Sequence, residues 1–294
     1  MIMRKLIDPF LLFFLAAALV ITGCATPAEA VEEPASVQSS SPALITPLMR
    51  ARPRKTPAPA SETISETVAE DIEAKTGDGT SANPYAIKIT GVELTDETLT
   101  EIYSAIASII PDGEISLDLS AGTGSRIGYQ GTARMVPESL DRIVSLILPA
   151  SVTALEPDAS GIGAFEGYTR LKTVVAPGLT RIGDRAFLGC TDLASVNFPS
   201  VTSVGEGAFY GCTSLIAVSL PAVTSLGNRA FSGCTSLTAV TLSKARTLGD
   251  WTFSGCTGLV SAVLPAVTSV GSEVFSGCNS LKTVRMPKAP PGSY

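Results

Sequence analysis

The stretch "LIAVSLPAVTSLGNRAFSGCTS" (Leu215–Ser236) decides the fold, because it is one of six variations on a single theme. Phe165, Phe187, Phe209, Phe231, Phe253 and Phe275 stand 22 residues apart, as do Cys190, Cys212, Cys234, Cys256 and Cys278, with Tyr168 in the matching first place. Leucines follow at 171, 193, 215, 237, 259 and 281, and prolines at 177, 199, 221, 265 and 287, with Ser243 as the exception. Self-similarity at a fixed period of this length is the signature of a solenoid, in which each unit buries its apolar side against the next.

Within a unit, L-x-x-V-x-L-P places apolar residues at period two and then stops at proline, which predicts a short strand. In "VTSLG" the side chains of Val223 and Leu226 point inward, and glycines at 183, 205, 227, 249 and 271 are expected to turn at positive φ. In "AFSGC", Phe231 packs beneath the coil and Gly233 returns the chain. Adjacent rungs stack at about 4.8 Å, within disulfide reach, so the odd set of five cysteines leaves one or two bridges open. A row that also accepts Tyr168 reads as a packing row, with cysteine as a small buried hydrophobe. Thiols in a line do not converge on a tetrahedral metal.

The consensus LxxVxLPxVTxIGxxAFxGC resembles the BspA-type leucine-rich repeats of bacterial surface proteins. The resemblance covers residues 137–288. It implies a β-rich leucine-rich-repeat solenoid, with a parallel β-sheet on one face and short turns or 3-10 segments on the other. It also implies surface display with adhesion or protein binding, and it brings no catalytic residues.

Composition narrows the chemistry. The 294 residues include no histidine, which removes Ser-His-Asp and Cys-His catalysis and the usual zinc ligand sets. Residues 61–160 carry 17 acids and 5 bases, net −12, whereas residues 161–294 carry 6 acids and 10 bases, net +4. The basic residues of the repeats are scattered singly, which suits solubility and gives no nucleic-acid footprint. No cofactor, metal site or small-molecule substrate is expected.

The N-terminus reads as an export signal over residues 1–23. Arg4 and Lys5 precede the apolar run Phe10–Ile21, which is short for a bilayer span. Ile21-Thr22-Gly23-Cys24 resembles a bacterial lipobox, which implies lipid on Cys24 and a chain held at the outer membrane, surface-exposed. The alternative is cleavage after Ala28-Glu29-Ala30 and a soluble secreted product. Residues 24–83, rich in Pro, Ser and Ala, are expected to form a disordered tether. The paired acids of "EDIE" (Glu70–Glu73) fall in it and have no pocket.

Residues 84–136 differ from the repeats. "YAIKIT" alternates Tyr85, Ile87 and Ile89 as a strand. A helix is predicted from an N-cap at Thr95, with Leu99, Ile102, Tyr103, Ile106 and Ile110 on one face, stopping before Pro111. "GEISLDLS" alternates Ile115, Leu117 and Leu119. This β-α-β element caps the solenoid's open end. "GTGSRIG" (Gly122–Gly128) is expected to be a loop between cap and solenoid, since its spacing does not match a nucleotide-binding turn. "EPDASG" (Glu156–Gly161) is an insertion in the first unit, a contact loop or a tolerated bulge. Residues 289–294 form a tail.

Trp251, Tyr210 and Arg229 are the candidate contact residues. Trp251 and Tyr210 occupy variable positions where other units mostly carry small or charged side chains, and Arg229 precedes Trp251 by one repeat in the same row, where it can stack on it. The outward strand positions, Ala217 and Ser219, Ala239 and Thr241, Ser261 and Val263, form a smooth face better suited to a protein partner than to a small ligand. The functional expectation is a non-enzymatic, lipid-anchored surface protein that binds host or bacterial macromolecules. The alternative is an envelope scaffold on the periplasmic side.

Overall fold

In the computed structural model the described residues are 62–128 and 141–287. The expected signal, Cys24, most of the tether, the boundary at 136/137 and the tail 289–294 lie outside them. No helix among the described residues is long and apolar enough to cross a membrane.

The chain is wound as a parallel solenoid. Helix α1 (Glu62–Glu73) comes first, then strand β1 (Tyr85–Glu93), helix α2 (Asp96–Ile109), and strands β2 (Ile115–Thr123) and β3 (Arg126–Gly128). Five paired coils follow. They are β4 (Ile143–Ile147) with β5 (Ala154–Glu156), β6 (Thr173–Val175) with β7 (Arg181–Ile182), β8 (Ser195–Asn197) with β9 (Ser203–Val204), β10 (Ala217–Ser219) with β11 (Ser225–Leu226), and β12 (Ala239–Thr241) with β13 (Thr247–Leu248). A sixth pair, β14 (Ser261–Val263) and β15 (Ser269–Val270), precedes the last strand, β16 (Thr283–Arg285).

The β-α-β arrangement is as the sequence predicts. β1 and β2 pair in parallel, and α2 opens with a reciprocal cap. There the Thr98 amide donates to Thr95 Oγ1 at 3.2 Å, and the Thr95 amide donates to Thr98 Oγ1 at 2.8 Å. Leu99, Ile102, Ile106 and Ile110 are buried, and Tyr103 is partly so.

Three expectations are corrected. The tether does not run to residue 83, because 62–73 is helical and Val68 and Ile72, one turn apart, are buried against the cap. Composition misled here, since the last proline of the segment is Pro59 and the next is Pro84. "EDIE" therefore lies on α1, where the Asp71 carboxylate accepts the Thr90 amide at 2.6 Å and its hydroxyl at 3.0 Å. Second, "GTGSRIG" is not all loop, since Arg126–Gly128 pairs with β5 and starts a sheet. Third, the glycines at 183, 205, 227, 249 and 271 do not have positive φ. They are there because a Cβ would press into the preceding coil: at Gly249 it would stand 2.5 Å from the Asn228 amide nitrogen. Positive φ belongs instead to the glycine before each cysteine position, such as Gly233 at +76°.

The structure also adds a second parallel sheet. β3, β5, β7, β9, β11, β13 and β15 form seven continuous rungs. The longer strands form a broken face, β1-β2-β4-β6, then β8-β10, then β12-β14-β16. Threonines explain the invariant look of "PxVT": Thr180, Thr202 and Thr224 each donate a hydroxyl to the backbone carbonyl one coil back, at 2.9, 3.2 and 3.0 Å.

Between the sheets and the turns runs the core. The phenylalanine column from Phe165 to Phe275 stacks with ring centroids 5.6, 5.2, 5.0, 5.6 and 5.7 Å apart. Beside it the cysteines are free thiols, each donating to a phenylalanine carbonyl 25 residues earlier, as Cys234 Sγ does to Phe209 O at 3.2 Å.

Candidate functional site

The turn side of each coil is built by three adjacent rows. The first holds Asp184, Glu206, Asn228 and Asp250, whose amide-to-side-chain bonds tie coils together. Asp184 Oδ1 accepts the Glu206 amide at 2.8 Å, and Asn228 Oδ1 accepts the Asp250 amide at 2.9 Å. The second row, after its first member Gly163, is left-handed, with φ of 57° at Arg185, 58° at Gly207, 55° at Arg229, 54° at Trp251 and 53° at Glu273. The third row reads Leu188, Tyr210 and then serines at 232, 254 and 276.

Gly207 interrupts the second row. Where its neighbours project long side chains, it projects none, and an open cleft of about 560 Å³ lies there. Arg185 and Arg229 stand on the coils either side of the gap, Asp184 and Glu206 line one flank, and Leu188 and Tyr210 line the other. Pro157 and Gly161 bring the insertion of the first unit to the cleft. That insertion is folded tightly: Asp158 Oδ1 accepts the amides of Ser160 and Ile162, both at 2.8 Å. It is a formed wall at the cleft.

The three sequence-derived contact residues are gathered here. Tyr210 and Arg229 line the cleft, and Tyr210 is 45% exposed. On the next coil, the Trp251 ring lies 4.9 Å from the Arg229 guanidinium carbon, and its indole N–H donates to Glu273 Oε2 at 3.1 Å. Arg185 is held differently, donating to Glu166 Oε1 at 2.7 Å. Among the described residues no carboxylate pairs with Arg229 and no base pairs with Glu206. Sequence reasoning missed Asp184, Arg185, Glu206 and Gly207. The legible signal was a glycine between two arginines of its row, three residues before the aromatic exception of the neighbouring row.

Elsewhere the chemistry is structural. Glu114 is buried at 4% exposure, where it accepts from the Ser81 hydroxyl at 2.7 Å and pairs with Arg170 and with Lys172 at 3.1 Å. Burial opposes its charge, but Ser81, Lys172 and Arg170 together hold its carboxyl below the ordinary glutamate value of 4.5. Burial pushes the Cys190 and Cys212 thiols far above the ordinary cysteine range, so neither is a nucleophile in the folded coil. Among the described residues no group of three or more His, Cys, Asp or Glu side chains is placed to hold a metal. The outward positions of the long-strand face are small, as expected, with Ile216 and Val260 adding exposed apolar points.

Residues 159–282 match the model of the BspA type leucine-rich repeat region, in 6 copies. No curated protein sequence matches the chain. Among solved structures, the chain is similar to a Treponema pallidum leucine-rich repeat protein at 29% identity, with 49% of this chain and 59% of that one covered and a TM-score of 0.35. It is similar to a leucine-rich repeat protein from Bacteroides ovatus at 23% identity, 60% and 55% coverage and a TM-score of 0.34. A leucine-rich cell surface protein from Faecalibacterium prausnitzii gives 16% identity, 61% and 67% coverage and a TM-score of 0.27. The chain thus spans 59% and 55% of the length of the first two.

Proposed function

From a region of six BspA-type leucine-rich repeats, we propose that this chain is a lipid-anchored bacterial surface protein that binds a macromolecular partner and catalyses nothing. Acyl chains on Cys24 hold it at the outer membrane, and the solenoid presents its turn side to a host or bacterial protein. The observation that carries the binding role is the placing of Tyr210 and Arg229 at one cleft, with Trp251 stacked on Arg229 from the next coil. An exposed tyrosine and an arginine without an acidic partner are residue types that dominate binding energy at interfaces, and the half-buried Trp251 braces that arginine. The absence of histidine from the sequence supports the non-enzymatic part of the reading.

The test is a pulldown with the full-length protein from matrix and cell-surface extracts, with and without Tyr210→Ala and Trp251→Ala. A specific partner should be captured by the wild type and lost by about tenfold or more from the double variant, as for truncated interface anchors. Capture that is indifferent to both substitutions would move the binding surface elsewhere. For the anchor, Cys24→Ala should release the protein into the soluble fraction, and its retention on membranes would count against lipidation. Protease added to intact cells separates surface display from the second reading, a periplasmic scaffold, because only a surface chain is cut before the envelope is opened.

A further inference from the structure

We propose that the cleft at Gly207 is a binding site for a neutral saccharide, a pyranose unit of a glycan carried by the partner. The inference rests on the reading of the solenoid as a surface binding protein and names the ligand class of the same site.

Charge decides first. The four ionic side chains around the gap, Asp184, Arg185, Glu206 and Arg229, sum to zero. A ligand of either sign would meet repulsion as well as attraction. Arg185 is engaged by Glu166, and one oxygen of Asp184 is engaged by the Glu206 amide. That leaves the Arg229 guanidinium as an open set of donors and the Glu206 carboxylate as an open set of acceptors. The hydroxyls of one sugar ring answer both, one accepting from Arg229 and another donating to Glu206. Hydrogen bonds to charged partners are the stronger kind, and both groups are planar and bidentate.

A zwitterion could also answer both charges. The cleft is open to solvent, however, so polar contacts of either kind contribute little, about 0–1 kcal/mol for an exposed ion pair and about 1 kcal/mol for a hydrogen bond. What an open site can exploit is apolar contact at low entropic cost. Tyr210, a stiff ring 45% exposed, provides a flat platform for the C–H face of a pyranose. It is the one aromatic in a row that otherwise carries a glutamate, a leucine and serines. The volume, about 560 Å³, lies within the range of small-ligand sites.

The site is also held in shape. Trp251 stacks on Arg229 and is itself fixed by Glu273, while the insertion wall is fixed by Asp158. Such preorganisation spares a ligand the ordering of long side chains. The gap itself is a free choice of the sequence, because a Cβ at Gly207 would meet nothing nearer than Tyr210 Cβ at 3.7 Å. Arg185 and Arg229 show that arginine accepts the same left-handed turn.

Trp251 is the only tryptophan in the chain and touches the cleft's own arginine, so its fluorescence reports occupancy. The full-length protein in detergent is titrated with neutral disaccharides of hexoses and N-acetylhexosamines, their sulfated and sialylated counterparts, and glycine as a zwitterion. The expected result is a saturable change with a neutral saccharide. Affinity should fall by about tenfold or more in Tyr210→Ser and in Gly207→Arg. Both variants introduce what other coils already carry, and an unchanged circular dichroism spectrum and melting temperature would confirm that each is folded. No saturable response, a response only to charged sugars or glycine, or undiminished affinity in both folded variants would overturn the inference. If wild-type protein still captures its partner in the pulldown but no saccharide responds, the saccharide assignment fails and the surface-binding reading stands. If no partner is captured, it is that reading that fails.

Discussion

Gly249 and Gly233 show how one residue type is used for two physical reasons. At Gly249 the obstacle is space: an added Cβ lands 2.5 Å from the Asn228 amide of the preceding coil. Gly249→Ala must spread two coils and is expected to cost about 1–3 kcal/mol, as overpacking does. At Gly233 the obstacle is conformation, φ +76°, and Gly233→Ala should cost about 1–2 kcal/mol with the coils unmoved. Guanidinium melts give both costs, and a wild-type midpoint for Gly249→Ala would show that the coils part freely. Phe231, fully buried between rings at 5.0 and 5.6 Å, is expected to lose about 3–5 kcal/mol on truncation to alanine. The buried thiols give a second readout. Cys190, Cys212, Cys234 and Cys256 should resist a thiol reagent until the protein unfolds, and half-buried Cys278 should react first. Rapid labelling of all five in the native protein would contradict the packing.

At the scale of elements, one carboxylate joins the pairing of β2 with β4 in holding the cap to the repeats. Glu114, at the start of the cap's second strand, joins Ser81 to Arg170 and Lys172 of the first repeat. Its folded-state pKa is depressed below the ordinary 4.5. Its contribution to stability is therefore present above the unfolded value and is lost as pH falls through the lower, folded value. Urea melts from pH 6 downward should show stability falling below about pH 4.5 in the wild type, with a smaller drop in Glu114→Gln. Equal acid sensitivity in both would place the titration elsewhere. α1 packs on the cap itself, where Val68 and Ile72 are buried against β1 and α2.

For the whole molecule, coils touch only their neighbours, so stability is a sum of coil and interface contributions. The described C-terminal end has no helix over it. β16 is exposed along its length, Val270 and Val284 are 42% and 39% exposed, and Phe275 is only partly buried. Hydrogen exchange should open the coil from Ser269 to Arg285 before the coils from Phe187 to Phe231. Uniform protection along the solenoid would mean that it opens as one cooperative unit. The long-strand face is also interrupted between β10 and β12, and Val218 on β10 is less buried than Val240 on β12.

The sequence by itself determined the repeat, its register and its core. Six copies of one pattern place phenylalanine, cysteine and leucine on the inside whatever the outside does, and a parallel coil leaves those rows no other position. It also determined the β-α-β element, through alternation in "YAIKIT" and "GEISLDLS" and a cap at Thr95. The second sheet was not legible, because its rungs are two or three residues long, too short to show a period. Nor was α1, whose two described core contacts, Val68 and Ile72, sit in a segment that composition assigned to the tether. The glycine rows were legible as glycine and not as reasons, since close approach and positive φ select the same residue. Tyr210 and Trp251 could be singled out as exceptions to their rows, and Arg229 as the neighbour of Trp251 one repeat back. Only the tertiary structure made a site of them, because winding brings residues 22 apart in sequence onto adjacent coils, and the side chain missing at Gly207 becomes a cleft only when its neighbours stand on either side.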